Sequence, residues 1–175
     1  GLLSTPAALG VYSVAATAAE LPRIVLGPAT LVLANRVATG DISTREVPSL
    51  LARLVFAYCL VMVVVATLGA SVVTPLVGES FAGVRDSIAV LALSESLLAV
   101  FLLSVAVLTG LGQFRWLPLP SILGMSVIVS ADVFVVPRFG GAGAAWVRVV
   151  GFGSMALVAA VLMHRCVRSS HRVAS

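Results

Sequence analysis

The chain has 175 residues, 60% of them hydrophobic and 10% charged, with a net charge of +4 and a mean hydropathy of +1.15. A soluble domain carries about 25% charged residues, and the stretch 54–78 holds none, more than the roughly 20 residues that cross about 30 Å of hydrocarbon. A soluble fold is excluded, and the chain reads as an integral membrane protein.

The first predicted span covers 6–35, with Thr5 as N-cap and Pro6 at the tolerated first helical position. Within it, "AAELPRIVLG" places Glu20 about 21 Å along from Pro6, deep in the bilayer, with Arg23 one turn further on. Ser13, Thr17, Glu20, Arg23, Gly27 and Thr30 fall within an arc of about 140° on one helix face. Pro22 and the Gly27-Pro28 pair interrupt the same helix, so a marked bend is expected at one of them. Ionisable groups beside a helix break at membrane depth point to a transport site. The simpler alternative is that Glu20 and Arg23, one turn apart, neutralise each other against a neighbouring helix.

The second span covers 50–77 and the third 87–109. Glu95, flanked by Ser94 and Ser96, lies about two turns into the third and is a candidate cavity residue. After the tight turn "GLGQFRW", the fourth span covers 117–136, with Pro118 and Pro120 in its first turn and Asp132 at an interfacial position near its outer end. The fifth covers 141–165. Its Arg148 is a further cavity candidate, with outward snorkelling as the alternative. Together, 1–165 form a transmembrane helical bundle, and 166–175 form a basic, flexible tail.

Seven arginines (36, 45, 53, 115, 165, 168, 172) fall on one side of this topology, against Arg85, Arg138 and Arg148 on the other. The positive-inside rule then puts the C-terminus in the cytoplasm and Gly1 outside. All 11 basic residues are Arg, a bias expected of a GC-rich bacterial genome. Their scatter along the chain gives no reason to expect a nucleic-acid partner. No signal peptide is expected at the start of the sequence. Cys59 and Cys166 lack ligand spacing and read as small hydrophobes. His164 lies at the cytoplasmic end of the last span and His171 in the tail, so neither a metal site nor a His-based catalytic site is expected in the membrane. "GFGSM" lacks the final Gly of a nucleophile elbow. "FGGAGAA" follows no strand, which rules out a dinucleotide loop. The expectation is a non-enzyme with no cofactor and no metal.

Three segments resemble bacterial polysaccharide flippases of the O-antigen type. Gly10, Tyr12 and Ala15 match a Gly-x-Tyr-x-x-Ala helix start. Gly78 and Phe81 match a short outer loop. Pro137, Gly140, Gly143, Ala144 and Ala145 match a Pro-x-x-Gly-x-x-Gly-Ala-Ala signature, from which Trp146 and Arg148 depart. The family lies in the multidrug/oligosaccharidyl-lipid/polysaccharide (MATE-like) exporter superfamily, built from two six-helix lobes around a cavity. The resemblance implies an all-α, polytopic bundle of five helices that forms most of the second lobe. It implies a multi-pass protein of the bacterial inner membrane that flips polyprenyl-pyrophosphate-linked oligosaccharide for surface polysaccharide biosynthesis. The partners implied are that substrate, membrane lipids and the remaining N-terminal lobe of the same chain, with a polysaccharide polymerase and glycosyltransferases alongside. From depth and face rather than from any family motif, Arg23 is expected to meet the headgroup, with Glu20 holding it and Ser13 and Thr17 on the same wall. Alternatives are a MATE-type drug or metabolite exporter, a lipid II flippase, or a non-transporting membrane assembly protein.

Overall fold

The structure, a computed structural model, describes residues 6–77 and 84–173. Its helices are α1 (Pro6–Glu20), α2 (Arg23–Ala38), α3 (Val47–Val77), α4 (Val84–Gly110) and α5 (Pro118–Val173), with a 3-10 turn at Phe114–Trp116 before the last. No strand occurs among the described residues, so the all-α expectation holds. Four stretches are long and apolar enough to cross a membrane: Tyr12–Ala38, Val47–Leu68, Ser87–Gly110 and Phe114–Ser169. Thr5, Gly78 and Phe81, singled out in the sequence, lie outside the described residues.

The bend expected in the first span is present, and it falls at Leu21-Pro22 rather than at Gly27-Pro28. Pro22 has no N–H to give to the carbonyl four residues back. The joint is instead held by shorter-range bonds, from the Ile24 N–H to the Leu21 carbonyl (3.3 Å) and from the Val25 N–H to the Pro22 carbonyl (3.2 Å). Pro22 itself keeps helical angles (φ −65, ψ −17), so the chain bends without reversing. Pro28 sits inside α2, which continues through it.

The expected fourth and fifth spans form one 56-residue helix, α5, interrupted at Gly140 (φ 58, ψ −139). That conformation is open to glycine and strained for any L side chain. A straight helix of this length would run about 84 Å, far more than a bilayer spans. Instead it folds back on itself. A Cβ added at Gly124 would lie 2.1 Å from the Met155 Cγ, and one added at Gly151 would lie 2.1 Å from the Ile128 Cγ1. The paired positions are symmetric about Gly140, so the two arms are antiparallel and the four long apolar stretches make five passes along the bundle.

The central helix is α4. Of its span 56% is buried, against 17% or less for the others, and α1, α2, α3 and both arms of α5 surround it. Near the break, Ala15 and Ala19 of α1 pack on Ile88, Leu91 and Ala92 of α4, small side chains that let the two backbones approach. At the opposite, arginine-rich end, Leu33 and Val37 of α2, Val47 and Leu51 of α3, Val107 and Leu108 of α4, and Met163 and Val167 of α5 form a second cluster. Val167 is buried there, which draws the start of the expected flexible tail into the fold. The helix runs on through Val173.

Close packing between the arms of α5 predicts opposite signs for two glycine substitutions. Gly151→Val should lower Tm in detergent, because overpacking against Ile128 costs about 1–3 kcal/mol. Gly153→Ala, whose added Cβ would meet only the Leu97 Cδ1 at an ordinary 3.6 Å, should hold or raise stability, by about 0.5–1 kcal/mol of helix propensity. Equal losses from the two would contradict the packing described.

Candidate functional site: a four-charge cluster at the helix break

The break places Glu20 at the last position of α1 and Arg23 at the first position of α2. Both charges oppose the local helix dipole, since an acid sits at a C-terminus and a base at an N-terminus. Neither placement stabilises its own helix, so each needs partners elsewhere. Those partners are Glu95 of α4 and Arg148 of the second α5 arm.

Arg23 grips Glu95 with two prongs of its guanidinium. Its Nε donates to Oε2 at 3.0 Å, and its Nη2 donates to Oε1. Arg148 Nη2 donates to Glu20 Oε1 at 2.8 Å and to Glu95 Oε1 at 3.1 Å. The Arg148 guanidinium also stands 5.4 Å from the centroid of the Phe152 ring, one turn along. Two carboxylates thus meet two guanidinium groups, for a net charge of zero. Glu95, which accepts three of these hydrogen bonds, is the hub.

The four side chains meet at one level of the bundle, Glu20 and Arg23 at the break and Glu95 and Arg148 beside it on α4 and the second arm of α5. Burial, by contrast, is graded across the cluster. The Glu95 side chain is 1% exposed and Arg148 18%, while Arg23 and Glu20 are 37% and 41% exposed. The cluster has a sealed edge on α4 and an open edge on the first span. Ser13, Thr17 and Gly27 continue that open edge as exposed positions, with Thr30 half-buried. Thr17 donates its hydroxyl to the Ser13 carbonyl (3.0 Å) and Thr30 to the Gly27 carbonyl (2.7 Å), leaving oxygen lone pairs for an outside donor.

Four sequence candidates (Glu20, Arg23, Glu95 and Arg148) come together, but not as the spacing suggested. The pair one turn apart, Arg23 and Glu20, is the longest of the four contacts, at 4.0 Å. Arg148 turns inward rather than snorkelling, because two carboxylates lie within reach. Ser94 and Ser96, beside Glu95, donate to their own helix at the Leu91 and Ala92 carbonyls and stay out of the cluster. Asp132 joins none of the four ion pairs. Tyr58 of α3 escaped sequence reasoning. Its buried hydroxyl has no hydrogen-bond partner and lies within electrostatic reach of Glu95 and Arg23. A phenol inside the charge-free run 54–78 was the available signal. Among the described residues, no group of three His, Cys, Asp or Glu side chains is placed to hold a metal ion.

Comparison with family models, with curated proteins and with solved structures finds no match to this chain.

The geometry makes Glu95 the member whose loss is felt most. Glu95→Gln leaves two arginines on the single Glu20 carboxylate, and an uncompensated charge of this kind costs about 3–5 kcal/mol. The amount of folded protein recovered from membranes should fall sharply. Pairing it with Arg148→Gln restores neutrality and should return most of that protein. Ser94→Ala, its buried neighbour, removes only a bond within one helix and should cost no more than about 1 kcal/mol. If the double variant is no more abundant than Glu95→Gln alone, the two side chains do not act as partners.

Proposed function

We propose that this chain is most of one lobe of a bacterial inner-membrane transporter that flips polyprenyl-pyrophosphate-linked oligosaccharide for surface polysaccharide biosynthesis. The observation that carries the reading is the graded exposure of the charge cluster. At membrane depth, arginine and glutamate at a helix break stand half open on a polar face, braced from behind by a buried carboxylate. A sugar pyrophosphate cannot enter hydrocarbon unaided, and a second lobe facing this wall would enclose it in a polar space.

In this reading, Arg23 is the contact for the pyrophosphate. Its guanidinium fork matches phosphate oxygens, and Glu95 fixes its orientation through Nε and Nη2. Glu20 is the yielding member. Its 4.0 Å approach to Arg23 is the loosest contact of the cluster, while Arg148 holds it at 2.8 Å. An arriving anion therefore takes the open side of Arg23 without stripping Glu20 of its stronger partner. Sugar hydroxyls can donate to the Ser13 and Thr17 oxygens along the same wall.

The neutrality of the cluster favours a second reading, in which the four charges only lock helices together in a non-transporting membrane assembly protein. The double variant Glu20→Ala with Arg23→Ala separates the two, because it removes the open edge and leaves the neutral Glu95–Arg148 pair (3.1 Å) in place. For a flippase, the double variant is abundant in the membrane, yet surface polysaccharide falls about tenfold or more, the weight of one charge-assisted hydrogen bond. Full export from an abundant double variant would leave only the locking role.

Orientation gives an independent check on the same protein. Arg148 belongs to the buried cluster, so Arg85 and Arg138 alone remain against the seven arginines of the other side, and the positive-inside margin widens. In a Cys59→Ala, Cys166→Ala background, Ser43→Cys should be labelled from the cytoplasm and Phe139→Cys, at the Gly140 turn, from outside. The reverse pattern would invert the proposed topology.

A further inference from the structure

Below the break at Pro22, α2 packs against α4, and its outer side is left open. Val25, Pro28 and Val32 on that side face Leu50 and Leu54 of α3 across a groove of about 360 Å³. Its lining is apolar apart from one charged residue, Arg36, in the last turn of α2. Val25 and Val32 are 71% and 53% exposed, so the groove opens sideways toward whatever surrounds the bundle. In a membrane protein, that surrounding is lipid.

Length and charge narrow the occupant. From Val25 to Arg36 the helix rises about 16 Å, close to one leaflet of a hydrocarbon core about 30 Å thick. Arg36 is exposed and takes part in none of the four ion pairs. Exposed Arg45 and Arg53 follow in the loop and the first turns of α3. Of the two acids in that loop, Glu46 is engaged as acceptor for the Ser43 N–H at 3.3 Å. An apolar trough one leaflet long, with a guanidinium at its polar end, is complementary to an amphiphile with an anionic head. The acyl chain takes the trough, and the phosphate oxygens take the fork of Arg36.

We propose that the α2–α3 groove is a binding site for an anionic phospholipid of the surrounding bilayer, one acyl chain lying along Val25–Val32 and its phosphodiester at Arg36. A polyprenyl phosphate shares the head chemistry, but its chain is much longer than one leaflet and would overrun the groove. The site lies apart from the four-charge cluster and does not depend on a transport role.

The test uses the full chain purified in detergent, offered phosphatidylglycerol and phosphatidylcholine of the same chain length, with retained lipid counted by native mass spectrometry. One phosphatidylglycerol per chain should be retained in preference to phosphatidylcholine, and added salt should weaken that preference. Arg36→Gln should reduce it about fivefold, the weight of one arginine near an anionic membrane surface. Val32→Trp, which fills the trough, should abolish retention of either lipid. Arg138→Gln, an exposed arginine at the far end of the bundle, should leave retention unchanged. Arg36→Gln alters an exposed, unpaired side chain, and an unchanged Tm in phosphatidylcholine verifies its fold. Equal retention of the two lipids by the wild type, or indifference to salt, would overturn the proposal without reference to any variant. So would displacement of phosphatidylglycerol by an equal concentration of polyprenyl phosphate.

Discussion

A carboxylate that is 1% exposed, about three turns into the most buried helix of a membrane bundle, cannot remain charged without partners, and Glu95 sets the terms for the helices around it. Removing such an ion from water costs several kcal/mol even after relaxation, and good geometry is needed to offset it. Two guanidinium groups supply that geometry, one from the first span and one from the last. Their backbones must therefore lie at fixed depth and distance from α4. The alanines of α1 make the approach possible, and the Gly140 turn brings the second α5 arm back alongside. The break at Pro22 fits the same constraint, since it sets Glu20 and Arg23 at the facing ends of two helices rather than in one continuous turn.

Much of this was legible in the sequence, in a way that follows from what sequence spacing encodes. Long charge-free runs marked the spans, because burying backbone in lipid leaves helices as almost the only choice. The 3.6-residue period placed Glu20 and Arg23 on one face and set their depth. Proline chemistry named Pro22 as one of two break points. At Gly27-Pro28 the helix continues, and the break falls at Pro22 alone of the two.

What was not legible is the identity of neighbours. Spacing along one helix suggested that Glu20 and Arg23 pair with each other, whereas each holds a closer partner from another helix. Nothing in the local pattern of Glu95 or Arg148 says that α1, α4 and the last arm run parallel and adjacent. The tail misled for a related reason. "CVRSSHRVAS" reads as polar and loose, yet Cys166 and Val167 pack on the lower cluster and extend the helix.

The graded exposure of the cluster also bears on whether its role is structural or functional, since one group of charges can serve both. A fully buried, fully satisfied network has no capacity left for a ligand, and a fully exposed one contributes little to stability. Here the two ends differ. Glu95 accepts three hydrogen bonds at the sealed edge, while Arg23 is more than a third exposed at the other. The sealed edge fixes the position of the open one, so an arginine on the polar wall is held in place before any anion reaches it. A guanidinium suits this arrangement better than an ammonium would. Its planar fork keeps two donors on Glu95 while others point outward, so support and recognition use different edges of the same group.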